Sequence, residues 1–481
     1  MTAGTVRKKS SVDLSQGNIV KGLILFAIPI FVGNLFQNLY NSVDSMVVGN
    51  FVGKNALAAV NVCSPITMLL NGFFVGMSTG SSVLFSQCFG ARNYEKLKKA
   101  IHTTMIVALI IGIGLSLIGL VFHTQLLNIV SCPEDIFEEA SGYLCIYIFG
   151  LFFTSVYNVE AGMLRSVGDS RNPFYALLIA SCINIVLDLV FVGVLGMGVK
   201  GVAIATIISQ FVSVCFTLNK MMKMDERYAF EFKSLKIDTS LIPEIMRLGL
   251  PAGVQMSIVS ISNMFVSSYM NSFGSTVTAG VGVANRLDRF VSMPSQAIGL
   301  ASTTFVSQNV GAGNKERTTQ GIKWCFILGF ASLLIMCVPM YINSEFFIKL
   351  FNSDPEVVSY GVLMMHTMIP LYWLMTIGQV VTGAVRGYGY SLQNMFLGLI
   401  GMVGVRQVFL YVTMHFISWK LQFVFYSYPV GWGANALVLA MYYFYLKFAG
   451  KLDARVKQVN LEQSEEAEVA EAVEVAEEEG E

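Results

Sequence analysis

The sequence predicts an all-α, polytopic membrane protein of twelve transmembrane helices, arranged as two six-helix lobes related by pseudo-two-fold symmetry. Three observations predict it. Hydrophobic residues are 54% of the 481 and charged residues only 13%, against roughly 25% charged in a soluble domain. The length accommodates about twelve apolar spans of ~20 residues. The chain also repeats itself at an offset of about 221: Ser86-Gln87 returns as Ser307-Gln308, Gly90-Ala91 and Asn93 as Gly311-Ala312 and Asn314, and Glu95 as Glu316. Further along, Gly162, Arg165, Gly168 and Ser170 fall on Gly383, Arg386, Gly389 and Ser391. Each half is far longer than a solenoid unit. An even number of helices per repeat keeps both halves in one orientation, about an axis along the membrane normal.

The elements follow in order. A polar N-terminal segment, 1–18, precedes a first lobe, 19–222, with apolar spans near 20–51, 55–88, 97–123, 136–164, 174–195 and 200–222. The first apolar run is too long for the h-region of a cleavable signal. A polar linker, 223–239, leads to a second lobe, 240–449, with spans near 242–272, 276–309, 318–344, 357–385, 393–415 and 427–448. Several spans exceed 25 residues, which implies tilted or bent helices. Pro29, Pro65, Pro251, Pro294 and Pro370 sit inside them, and proline removes a helical hydrogen bond. Pro29 and Pro251 lie early in the first helix of each half; Pro29 is a candidate hinge, with a static kink as the alternative.

Lys and Arg set the orientation. Arg7, Lys8, Lys9, Arg92, Lys96, Lys98, Lys99, Arg165, Arg171, the linker, Lys315, Arg317, Arg386, Lys447 and Lys451 fall on one side, and only Lys54, Lys200, Lys349 and Lys420 on the other. That asymmetry puts both termini in the cytoplasm of a cell-membrane protein. The segment 450–481 ends in nine glutamates after Gln463 with no Lys or Arg, a composition that reads as a disordered, solvated tail. The eight cysteines form no CxxC pair and the four histidines lack ligand spacing, so core packing is expected rather than disulfides or a metal cluster.

No GxxxxGK[ST] loop and no catalytic His/Asp cluster is present. Those absences argue against an ATPase, and no feature reads as an enzyme or a nucleic-acid binder. Two tandem membrane bundles instead imply the lobes of a secondary transporter with a path between them. An ion gradient then needs an ionisable intramembrane site. Four acids fall inside the spans: Asp44, Glu160, Asp188 and Asp288. Asp44 and Asp188 each lie about eight residues, roughly 12 Å, below the outer ends of helices 1 and 5. Thr206 enters helix 6 to a similar depth, and Asn184 is one turn from Asp188. Two carboxylates, an amide and a hydroxyl at one depth suit Na⁺ or a shared proton. Glu160 is expected to pair with Arg165. Asp288, flanked by Arg286 and Arg289, is expected to be in structural pairing, with Arg406 near mid-depth in helix 11. Asn34, Gln37 and Asn41 form a stripe towards Asp44, and Gln255 and Asn263 lie two turns apart on helix 7. Both stripes are candidate cavity walls or interhelical hydrogen bonds.

The loops Gly90-Ala91-Arg92-Asn93 and Gly311-Ala312-Gly313-Asn314, the run Gly162 to Ser170 with its echo Gly383 to Gly389, and Pro29…Asn41-Ser42-Val43-Asp44 resemble the multidrug and toxic-compound extrusion (MATE) family over about residues 15–450. The resemblance implies an antiporter that exports organic cations and lipophilic drugs in exchange for H⁺ or Na⁺, with no other cofactor. It assigns Asp44, Asn184, Asp188 and Thr206 to the first-lobe cation or proton site. The acids expected on helices 7 and 10 of the NorM-type branch are missing, Gln255 standing at or near the first, so the chain is nearer the DinF-type branch with coupling in the first lobe. A lipid-linked oligosaccharide flippase of the wider superfamily is the competing reading, kept alive by Arg286, Arg289 and Arg406. A monomer holding both lobes needs no protein partner beyond the lipid bilayer.

Overall fold

A computed structural model describes residues 12–462, except the side chains of Asn41 and Ser45; residues 1–11 and 463–481 lie outside the described residues. The segment expected to be a solvated tail from residue 450 instead begins as a helix over 451–462, because Leu452, Val456 and Val459 give it an apolar face that is buried in the cluster at the basic end. The described chain is helical, with no strand. The long helices are α1 Ile19–Val52, α2 Lys54–Gly90, α3 Tyr94–Ile129, α4 Glu134–Phe149 with Leu151–Ser166, α5 Arg171–Val194 and α6 Gly198–Met222. After the linker come α7 Ile242–Asn271, α8 Ser275–Gly311, α9 Lys315–Ile342, α10 Pro355–Gly387, α11 Ser391–Ile417 and α12 Leu421–Phe448. Nine of these are long and apolar enough to cross a membrane, and the bent α4 makes a tenth. The rows of exposed Leu117, Ile118, Val121, Ile335, Val338 and Phe444 are far more apolar than a water-facing surface tolerates, and a bilayer covers such a belt.

Repeated sequence becomes repeated geometry. α4 bends by 44° at Gly150, and α10 breaks into a 3₁₀ turn, Ile369–Leu371, at the matching place. There Pro370 has no backbone N–H to donate, so the α-helical ladder is interrupted. Asn93 and Asn314 cap α3 and α9, each accepting from the backbone N–H three residues on. The residues before them, Arg92 and Gly313, take left-handed φ of 63° and 70°. Glycine is at ease there; an arginine is uncommon.

Three apolar clusters show how the halves meet. One holds α2, α3 and α4 with the end of α1 away from the basic loops, and a second holds α10, α11 and α12 with the parts of α7 and α8 away from those loops. The third lies at the end that carries the basic loops. It joins Leu23, Phe26 and Ala27 of α1 to Ile298, Ala301 and Phe305 of α8. At that basic end, residues 76–90 of α2 are all buried. Glycines let the backbones touch: a Cβ on Gly76 would stand 2.3 Å from the Ala252 carbonyl of α7, and one on Gly80 2.1 Å from that of Leu248. The lobes are therefore closed against each other at the basic end and packed into separate cores towards the opposite end.

Candidate functional site

Within the first lobe α1 lies along α5. Gly33 leaves room for Phe174 and Leu177, and Phe36 meets Phe174 with ring centroids 6.2 Å apart. This seam brings the Asp44 and Asp188 carboxyls close together. Asp188 and Asn184 are buried. A five-residue π-helical turn, Val48–Val52, follows Asp44 on α1, and a six-residue one, Leu189–Val194, starts immediately after Asp188 on α5. Such turns rotate the helix and recur at functional positions.

The oxygens here are short of donors. Asp44 Oδ1, both carboxyl oxygens of Asp188 and both polar atoms of the Asn184 amide have no hydrogen-bond partner among the described residues. Unsatisfied acceptors buried together are costly unless something positive sits between them. A small cleft, with room for about one water, adjoins them and is lined by Gln37, Tyr40, Asn184, Thr206, Gln210 and Ser213. The Thr206 hydroxyl donates to the Val202 carbonyl at 3.0 Å, which leaves its lone pairs free to accept. Two carboxylates, an amide oxygen and a hydroxyl fit a small hard cation or a proton shared between the acids. No cluster of three His, Cys, Asp or Glu occurs among the described residues.

Sequence reasoning missed several neighbours. Tyr40 lies close to both carboxyl groups, and Tyr147, whose hydroxyl accepts from Asn71 at 2.8 Å, lies close to Tyr40. On α6 the stripe Thr206, Ser209, Gln210, Ser213 and Thr217 has the spacing of one helix face, a signal legible from the sequence.

Other expectations need correction. Glu160 does not pair with Arg165; it is wholly buried and accepts a hydrogen bond from Thr217 on α6. Asp288 makes no ion pair with Arg286 or Arg289, which are exposed; Tyr372 of α10 donates to it instead. Gln255 is not on an open wall: it is buried in the second lobe, accepting from Arg386 and from Asn394, both at 3.2 Å. Asn263 accepts from the buried Arg406 at 2.7 Å, and Ser262 also accepts from that guanidinium. Asn34 and Gln37 lie on α1, Gln37 on the cleft; the Asn41 side chain lies outside the described residues. Pro29 stands inside a helix that continues through it.

Two six-helix lobes closed at one end, with unsatisfied acids buried in one of them, define a polytopic membrane transporter. The sequence profile of the MatE family matches residues 29–190 and 251–412, one stretch in each half. The chain belongs to the MATE family. It is 29% identical to the "Probable multidrug resistance protein YoeA" of Bacillus subtilis (strain 168) over 436 residues, 89% of this chain and 94% of that protein. It is 30% identical to "Probable multidrug resistance protein YpnP" of the same strain over 413 residues, 85% and 90% of the two chains. Among solved structures, "Outward-facing conformation of a multidrug resistance MATE family transporter of the MOP superfamily" matches with a TM-score of 0.84 at 23% identity, over 93% of this chain and 98% of that one. "Crystal structure of MATE in the bent conformation" matches at 0.83, also at 23% identity, over 95% and 99%. These likenesses support the twelve-helix, two-lobe fold.

Proposed function

We propose that the protein is an antiporter of the cell membrane that exports organic cations and lipophilic drugs in exchange for H⁺ or Na⁺ by alternating access. The observation that carries this is the pair Asp44 and Asp188, with Asn184, whose oxygens meet no donor inside the first lobe. An intramembrane acid without a partner is expensive, and a coupling ion is the reason to keep it. The basic end is then cytoplasmic with both termini, as the Lys and Arg asymmetry requires. Coupling belongs to the first lobe, as in the DinF-type branch. The lobes are 19–222 and 240–449, the chain works as a monomer, and the coupling ion is its only cofactor.

An antiporter works when ion and substrate favour opposite members of one pair of conformations. Ion or proton binding between Asp44 and Asp188 draws α1 and α5 together. Pro29, about four turns below Asp44, offers the hinge through which that change bends α1. Substrate lies between the lobes, against Asn34, Gln37 and Asn41 of α1 and Asn263 of α7. The flippase reading asks for a cationic cavity; the Arg406 guanidinium is instead buried and occupied by Ser262 and Asn263.

The test is ethidium efflux from whole cells or inverted vesicles with Na⁺ and pH gradients imposed separately. One gradient is expected to drive efflux. Asp44→Asn, which keeps size and removes the charge, is expected to abolish driven efflux and leave ethidium binding to the folded protein. Normal efflux by that variant removes Asp44 from the mechanism.

A further inference from the structure

Gln87 and Gln308 hold matched places, one near the end of α2 in the first lobe and one near the end of α8 in the second. Each is buried, and each reaches into the other lobe. Gln87 Nε2 donates to the Gly387 carbonyl at the end of α10 at 3.1 Å. Gln308 Nε2 donates to the Ser166 carbonyl at the end of α4 at 2.6 Å. Ser166 and Gly387 are themselves related by the repeat offset, so donors and acceptors swap symmetrically. Both acceptors are last-turn carbonyls, which a helix leaves without an internal partner. The crossing leaves no slack: a Cβ on Gly90 would stand 1.9 Å from the Gln308 carbonyl oxygen, and one on Gly311 2.0 Å from that of Gln87.

The segment 12–17 ties into the same place. The Leu14 N–H donates to Gln308 Oε1 at 2.9 Å, and Asn309 Nδ2 donates to the Leu14 carbonyl at 3.2 Å. Arg317 donates to the carbonyls of Leu14, Gln16 and Gly17. On the first-lobe side the Val12 N–H donates to the Gly168 carbonyl at 3.0 Å, and Asp13 meets Arg92 at 2.6 Å. The Leu14 side chain is buried with Leu23 of α1 and Phe305 of α8.

We infer that Gln87 and Gln308 form a reciprocal latch across the two lobes at the basic end, with segment 12–17 lying over it, and that this latch sets how much of the protein stands closed there. They are positioning residues of the transport cycle, remote from the ion site. The reading rests on alternating access. Polar ties suit a gate: when the lobes part, water takes up the freed amides and carbonyls, so the bonds hold the closed state without making opening prohibitive. An apolar seam of equal area lacks that replacement.

The experiment measures distances in the full chain by pulsed electron paramagnetic resonance, without any gradient or drug. One label pair replaces the exposed Lys99 and Lys323, on α3 and α9 at the basic end; a second replaces Lys54 and Lys349 at the opposite end. Gln87→Leu or Gln308→Leu alone is expected to raise the open-to-closed ratio at the basic end about fivefold, and the double variant about twenty-five-fold. The opposite end is expected to narrow in the same samples. Gly311→Ala, which wedges the crossing apart, gives the same shift by another route. Unchanged distances in folded double variant overturn the latch, as does widening at the basic end without narrowing at the other. Loss of folding in both the double variant and Gly311→Ala also overturns it, because these residues then only hold the fold. Ethidium efflux that responds to neither gradient refutes the antiporter reading and leaves this distance test standing.

Discussion

In the register in which the two matched family stretches begin and end, residue 29 with 251 and 190 with 412, Asn41 falls on Asn263 and Asn184 on Arg406. Asp44 and Asp188 fall on Val266 and Leu410. The two halves have opposite interiors at the same depth. In the first lobe the α1–α5 seam holds two acids and an amide with oxygens that lack donors. In the second, Val266 and Leu410 are wholly buried in an apolar cluster, and the Arg406 guanidinium is bonded to Ser262 and Asn263 and lies 5.5 Å from the Tyr428 ring centroid. The second lobe carries its positive charge on a side chain, whereas the first is short of one. At this depth the first lobe holds acceptors without donors, and the second holds a guanidinium that donates to two of its neighbours. Under the antiport proposed above, the first lobe is the one that answers to a cation, and the second is the body against which it moves.

The largest effect is expected at Asp188. Asp188→Asn, like Asp44→Asn, should abolish gradient-driven efflux, a loss of roughly a hundredfold or more. Because Asp44 and Asp188 act as one unit, the Asp44→Asn, Asp188→Asn double variant should be no worse than either single variant. Additive losses in efflux from the purified, reconstituted protein would separate the two acids and break the contrast between the lobes. A smaller effect is expected at Arg406. Arg406→Met removes two hydrogen bonds from a charged donor, a loss of about 1.5–3 kcal/mol each at most, relieved where Gln407 still donates to Ser262 Oγ at 2.8 Å. Thermal unfolding should come earlier, while the Na⁺ and pH dependence of the remaining efflux stays as in the parent. A changed ion dependence would mean that the second lobe also answers to the coupling ion.

Much of this contrast was legible in the sequence. The repeat gave matched positions, and the spans fell within a few residues of the helices; α1, expected over 20–51, runs Ile19–Val52. Depth was readable because helix rise is fixed. Azimuth was not, and the misreadings follow from that. Glu160 and Arg165 are five residues apart, well off one face of a helix, so the acid turned to Thr217 instead. Arg286 and Arg289 sit two and one residues from Asp288, which also points them elsewhere; Tyr372 comes from a helix 84 positions away. The break in α4 at Gly150 had no signal, since a glycine in an apolar run leaves the pattern intact, whereas Pro370 marked its counterpart. Gln87 and Gln308 stood out as repeated residues, but their partners lie in opposite lobes, 300 and 142 positions away, beyond the reach of any local pattern.

The smallest effect concerns the asymmetry at the basic end, where segment 12–17 leans on both lobes but its one ion pair goes to the first. Burial pushes the Asp13 carboxyl up, but hydrogen bonds from Ser15 and Arg92 and the Arg92 charge outweigh it and hold the carboxyl below its ordinary value of 3.8. A carboxyl depressed in the folded state contributes stability that is fully present above the unfolded pKa and lost as pH falls through the folded one. The tie is therefore complete at neutral pH and fails only below about pH 4. Both side chains are partly exposed, 40% for Arg92 and 30% for Asp13, so the pair contributes roughly 0.2–1 kcal/mol. Asp13→Asn should speed exchange of the Leu14 amide, which is bonded to Gln308 Oε1, by about fivefold at most, with the same factor from pH 5 to pH 8. A factor that changes across that range would assign the tie to another titrating group. A factor of one would leave Leu14 and Arg317, rather than the Asp13 charge, as what holds the segment down, and contact with the first lobe would rest on the Val12 N–H and the packing of Leu14 on Leu23.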